Sequence, residues 1–289
     1  MSEANKLGQE GSLDLDALLL AAVTEGTLLC DDPINEDALS THFVRPESRF
    51  TCSSGALSQI IAFMTDFIHD SWHHLLEFHH SQFPLLHLEQ YAHATHTESC
   101  PFNDVVSFMD VKIHRISPPG DNQCINYNSY SKSHTYKYQA VLTPDGLITL
   151  CAGPMEGWRA NVVVVQWSVL LEVWFEHARG YNNQPLLLYA NPAYGKTDVV
   201  VSGLKKVWDL VENEQRFNTV MSKYRESVSN LWAFLKHVQQ MKLHISPIRK
   251  YFQVAVLLTN AHSCQYGSDI AEYFQSKPPS LGEYFVWKM

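Results

Sequence analysis

The spacing of apolar residues changes period twice along the chain. In Ser54–Glu77 the residues Ile60, Ile61, Met64, Phe67, Ile68 and Trp72 recur one helical turn apart, which predicts a long helix with one buried face. Phe83–Ala94 continues in the same period, and Glu98-Ser99-Cys100-Pro101 ends it. From Val105 the pattern shortens to alternation. Strands are predicted at Val105–Ile116, at the aromatic and β-branched run Tyr136–Thr143, and at Leu147–Ala152. Between the last two, Thr143-Pro144-Asp145-Gly146 has the chemistry of a tight hairpin turn: proline presets φ and glycine accepts a positive one. The helical period then returns. Val162–Ala178 opens on four valines that would suit a strand, but the run is too long for one, and its second half has helical spacing. A short buried strand follows at Leu186–Ala190. Helices are predicted at Ser202–Glu212, at Asn213–Lys242 with an inner stripe through Phe217, Met221, Tyr224, Val228, Trp232 and Leu235, and at Tyr251–Asn260. Upstream, residues 1–12 read as disordered, Leu13–Leu29 as helical and Cys30–Ser53 as loop.

Three antiparallel strands, a helix, a parallel strand and further helices is the element order of the ribonuclease-H-like fold, so the expected class is α/β with a mixed sheet. The expected division is an acidic, partly disordered segment over 1–49, a helical segment over 50–100 and the α/β domain over 101–289. One residue breaks the pattern of the first strand. Asp110 lies among apolar neighbours, where an ionised carboxylate is costly without a cation or hydrogen bonds. It is the first functional candidate; from the strand alone, a solvent-facing Asp fits equally well.

Charge sharpens the picture. The net charge of −9 is unevenly spread: residues 1–110 hold 17 Asp and Glu against 3 Lys and Arg, and residues 111–289 hold 13 against 18. A nucleic-acid surface therefore belongs to the second part, while acidic N-terminal helices suit a protein partner. Six cysteines without a C-x-x-C pair argue for free thiols in a reducing compartment. No apolar run is long enough to span a membrane, and the N-terminus is not a signal peptide. The expected location is intracellular, and nuclear.

Several features read as ordinary surface. His69, His73, His74, His79 and His80 crowd one helix end, and His69 and His73 have metal-ligand spacing, but no HExxH accompanies them. Among fifteen histidines, solvated helix-face residues are the simpler reading. Gly153–Gly157 is too short for a nucleotide loop, and Ser168 and Ser227 lack a nucleophile-elbow context.

A longer set of ordered motifs resembles a known family. Phe108-Met109-Asp110, YNSYSKSHTYKYQ (127–139), TPDGLI (143–148), GPMEGWRAN (153–161), YANPAYG (189–195), FNTVMSKYRESVSN (217–230), LLTNAHSCQYG (257–267) and YFQSKPPSLGEYF (273–285) are similar to the DDE superfamily endonucleases of Harbinger-type transposases. Upstream, LSQII (57–61), SWHHLLEF (71–78) and LEQYAHA (88–94) fit as well, so the resemblance covers about residues 50–285. It implies divalent-metal-dependent phosphodiester cleavage and strand transfer on DNA, with three carboxylates holding two Mg²⁺ or Mn²⁺ ions.

Carried over motif by motif, the first carboxylate is Asp110. The second falls on Asn191, the third on Ser229, and an auxiliary acid on Asn161. Asn offers an uncharged oxygen and Ser a shorter neutral one, so metal binding is expected to be weak or absent and the protein inactive. Glu226, one turn before Ser229, and Glu156 are the alternative acids for an active nuclease. Lys132, His134, Lys137, Arg159 and Arg225 are the candidate DNA contacts. The family's basic His-Lys-Arg is Tyr130-Ser131-Lys132 here, so DNA binding is expected to be weakened. The other alternative is a non-catalytic interaction module.

Overall fold

The computed structural model describes residues 54–77, 83–98, 100, 102–168, 170–194, 197–202, 215, 218–219 and 247–285. The chain forms two compact units, Met1–Met64 and Thr65–Met289. Of the first, the described part is the opening of helix α1 (Ser54–Trp72), where Ile60, Ile61 and Phe63 are exposed. The helices expected at Leu13–Leu29, Ser202–Glu212 and Asn213–Lys242 lie outside the described residues, apart from isolated positions.

The second unit is built on a mixed sheet. Strand β1 (Val105–Arg115) runs antiparallel to β3 (Ser133–Leu142), which runs antiparallel to β4 (Ile148–Glu156). On its other edge β1 is parallel to β5 (Leu187–Ala190), and β5 to β6 (Val200–Ser202). The short β2 (Tyr127–Asn128) pairs with the start of β3. This is an α/β fold of the ribonuclease-H-like kind. The hairpin turn forms at the expected place: Gly146 takes φ +81° and donates its N–H to the Thr143 carbonyl at 2.9 Å.

Alternation along the strands separates two layers. On one face Met109, Val111, Val141 and Leu150 pack with helices α2 (Leu85–Thr97), α4 (Asn161–Trp167) and α5 (Leu170–His177), around the fully buried Trp174. On the other, helix α6 (Ile248–Tyr266) stacks Phe252 on Tyr138 at 3.6 Å between ring centroids. The short helices α3 (Gln123–Asn126), α7 (Asp269–Tyr273) and α8 (Leu281–Tyr284) complete the described elements.

Three expectations need correction. The helix expected over Ser54–Glu77 stops at Trp72 and tightens into a 3₁₀ turn, His73–Leu76, which buries Leu76 as well as Trp72. The single helix expected over Val162–Ala178 is two. At the break, the Ser168 hydroxyl bonds the Val165 carbonyl at 2.8 Å and Gln139 Oε1 at 2.7 Å, competing with helix continuation. The last helix extends from Ile248 to Tyr266, well past Asn260, whose polarity ended the sequence pattern although the residue is fully buried.

Candidate functional site

The parallel pairing of β1 with β5 sets the centre of the site. Met109 is in register with Ala190, so the residues that follow, Asp110 and Asn191, occupy neighbouring positions where β5 ends. Asp110 is half-buried and faces Ala140 of β3 in the ladder. A carboxylate and an amide thus hold adjacent register positions where the resemblance places two metal-binding acids.

The chain after Asn191 fixes how that amide is used. Asn191 Oδ1 accepts the Ala193 N–H at 3.1 Å, and its main-chain carbonyl accepts the Tyr194 N–H at 3.0 Å. These bonds close the 3₁₀ turn Pro192–Tyr194, in the way Asx side chains commonly shape turns. An aspartate there could give one oxygen to the turn and the other to an ion. With Asn, the remaining terminal group is an NH₂, a donor that cannot ligate a cation. Tyr194 is buried, and its hydroxyl has no hydrogen-bond partner among the described residues. Burial raises its pKa, and the nearby Asp110 charge raises it further.

A second cluster lies farther along the sheet. Lys137, 6% exposed on β3, donates to Asn161 Oδ1 at 3.2 Å and to the Arg159 carbonyl. Both partners are neutral, and burial lowers the lysine pKa. Arg159 is engaged through its side chain: Nε donates to Glu156 at 2.6 Å, and this bond holds the Glu156 carboxyl below the usual range. Glu156 pairs with Tyr136, whereas Asp110 pairs with Ala140 four residues along the same strand, roughly 13 Å away. The fold brings Asp110 to Asn191 and Lys137 to Asn161, and does not bring Glu156 to Asp110.

Lys132 is exposed in the turn before β3, at φ 50°. His134 is half-buried, with its ring 5.6 Å from Tyr127. Ser229, Glu226 and Arg225 lie outside the described residues. His69 and His73 stack at 4.9 Å, and His69 Nε2 bonds Gln253 at 3.1 Å, which gives this pair a packing role on α6. Among the described residues, no three of His, Cys, Asp or Glu converge as a metal site.

Sequence reasoning missed four polar residues that hold this framework. Gln139 is fully buried and donates to Met109 Sδ at 3.0 Å, directly beside Asp110 in sequence. Asn260, on α6, accepts the Ile148 N–H at 2.9 Å and donates to the Ile148 carbonyl at 2.8 Å, imitating a neighbouring strand along β4. Asp145 and Tyr194 are the others. Each lay inside a quoted motif, but no periodicity marks a polar residue that must be buried.

A mixed α/β sheet in which β1 is antiparallel to β3 and parallel to β5, with helices packed on it, defines a domain of the ribonuclease-H type. The sequence model of the DDE superfamily endonucleases matches residues 109–260, just over half of the 289 residues, and the chain belongs to that family. No curated protein and no solved structure matches it significantly. The family uses divalent metal ions and acts on DNA. Among the described residues, no helix is long and apolar enough to cross a membrane.

Proposed function

We propose that this is a transposase-derived DDE domain of the Harbinger type that has lost nuclease activity and retains a weakened association with nuclear DNA. The observation that carries the reading is Asn191: it stands beside Asp110 in the parallel register, and its one side-chain oxygen closes its own turn. The described donor set does not fit a two-ion centre. Asp110 is one carboxylate, Asn191 offers a single uncharged oxygen already bonded to the Ala193 N–H, and Glu156 is tied to Arg159 at a different level of the sheet. Mg²⁺ demands carboxylates and near-octahedral geometry, which one acid cannot supply to two ions. Asn161 supports the same reading, since it serves Lys137 as a hydrogen-bond acceptor.

The test is nicking of supercoiled DNA with Mg²⁺ or Mn²⁺ by three proteins: wild type, Asp110→Ala, and Asn191→Asp combined with Ser229→Glu. The expected result is cutting by the double mutant alone. Cutting by the wild type that disappears in Asp110→Ala overturns inactivity and makes Glu226 the acid to examine. If folded wild type binds no DNA at low salt, the acidic N-terminal part and a protein partner become the subject.

A further inference from the structure

A cleft of about 370 Å³ opens at the end of the sheet away from Asn191, between α3, the end of β4 and α4. That volume falls within the range of small-ligand sites. Its lining combines two kinds of group. Trp167 and Ile125 are 56% and 38% exposed, and Tyr136 is half-buried beside them, giving flat apolar surface in contact with water. The polar wall carries acceptors: Asp121, Glu156 and Asn126. Asn126 is the telling member. It is 2% exposed, and its Oδ1 has no hydrogen-bond partner among the described residues, while its Nδ2 only approaches the Asn122 carbonyl at 3.5 Å. A buried acceptor left unsatisfied is destabilising, and a ligand donor would recover that cost.

The charges narrow the ligand. Two carboxylates in the lining oppose a phosphate. The cleft also already holds one guanidinium, Arg159, paired with Glu156 at 2.6 Å and lying 5.5 Å over the Trp158 ring. A second guanidinium, such as an arginine of a peptide, would meet like charge there. A neutral, planar group with N–H donors meets none of these penalties: it can stack on the indole and give its protons to Asn126 and the carboxylates. Exposed Arg115, in register with Thr135 next to Tyr136, lies on the strand end nearest the cleft, where a flanking phosphate could be met.

We infer that this cleft receives an unstacked nucleobase bearing an exocyclic amine, the face of Trp167 supplying the stacking surface and Asn126 the acceptor. This rests on the reading that the domain associates with nucleic acid. A strand held this way is recognised by base chemistry, independently of the Asp110 centre.

Cytosine and thymine isolate the claim, because in the pyrimidine ring the first presents an amine where the second presents a carbonyl oxygen. The full chain is titrated with labelled oligodeoxycytidine and oligothymidine of equal length, followed by anisotropy. The expected result is about tenfold tighter binding of the cytidine strand. In Trp167→Ala and in Asn126→Leu the preference should fall to within about twofold, with thymidine binding retained. Equal binding of both strands by the wild type, or an unchanged preference in the folded Trp167→Ala protein, overturns the inference. If neither strand binds, the nucleic-acid reading fails first, and free deoxycytidine against thymidine then tests the cleft: quenching of Trp167 by deoxycytidine alone supports it. Tighter capture of N-acetyl-argininamide than of deoxycytidine overturns it in favour of a protein partner.

Discussion

Asp110 and Asp145 are carboxylates at two positions of one sheet, and their surroundings differ in kind. Asp145, in the β3–β4 turn, is 4% exposed and receives three hydrogen bonds: from the Thr143 hydroxyl at 2.5 Å, the Tyr91 hydroxyl at 2.7 Å and the Leu147 N–H at 3.2 Å. Asp110 is half-buried beside an amide whose oxygen is turned to its own loop. The first carboxylate is sustained by the hairpin and by helix α2. The second is only half-buried, and under the proposed reading it stands where the family's metal ions would be held. The hairpin network holds the fold whatever stands beside Asp110, so the proposed loss of activity is compatible with an intact sheet.

The comparison breaks most visibly if the structural end is attacked. Asn260→Ala removes both bonds to the Ile148 main chain and the 2.7 Å bond to the Tyr284 hydroxyl, leaving the buried strand edge unsatisfied. A loss of about 3–4 kcal/mol in urea unfolding is expected. Asp145→Ala strands Tyr91 and the Leu147 N–H in the same way and should cost about 3 kcal/mol. Asp110→Ala should cost less, about 1 kcal/mol, because Asp110 is only half-buried and its carboxylate keeps access to water. If Asp110→Ala proves as damaging as Asp145→Ala, the two ends are alike and Asp110 is structural.

A smaller change sharpens the contrast from the other side. Lys137 is a buried cation with neutral partners, so Asn161→Asp would supply a counter-charge at the 3.2 Å contact. Stability at pH 7 should rise by about 1–2 kcal/mol. The native arrangement also has a pH signature. The folded pKa of Lys137 is depressed below 10.5 by burial, so the unfolded chain binds more protons between the two values. Stability therefore rises with pH through that window up to 10.5, and Asn161→Asp should flatten the rise. An unchanged or lower melting temperature in Asn161→Asp would show that the amide already satisfies the lysine.

What the sequence made legible follows from length scales. The three long strands, the Thr143–Gly146 turn and the parallel partner ending at Ala190 are each written in consecutive residues, and they appear within a few residues of the expected places. Asp110 and Asn191 could be named together because the motifs around them are contiguous. Strand β6 has only three residues, too few to show a period, and the break between α4 and α5 depends on Ser168 meeting Gln139 from another strand. The contacts of Asn260 with Ile148 and of Tyr91 with Asp145 join residues far apart in the chain. A local pattern carries no trace of such partners, so periodicity and turn chemistry alone place Asn260 at a helix end and Asp145 in a surface turn.

The finest test concerns the protonation of Asp145. Burial raises its pKa above 3.8, although the bonds from Thr143, Tyr91 and Leu147 pull the other way. The folded state therefore holds its proton to higher pH than the unfolded chain does, and the sign is opposite to that of a salt-bridged carboxylate. Below 3.8 both states are protonated and nothing is lost; as pH rises from 3.8 through the raised value, stability falls. One proton can contribute a slope of at most about 1.4 kcal/mol per pH unit. Asp145→Asn keeps an oxygen for Thr143 and Leu147 and turns an NH₂ toward the Tyr91 hydroxyl, which can accept as well as donate. That variant should match the wild type in acid and gain on it as pH rises, in urea unfolding measured across the series. If the wild type instead gains stability with pH relative to Asp145→Asn, the three hydrogen bonds outweigh burial and hold Asp145 ionised, and its contrast with Asp110 narrows to the number of donors each carboxylate commands.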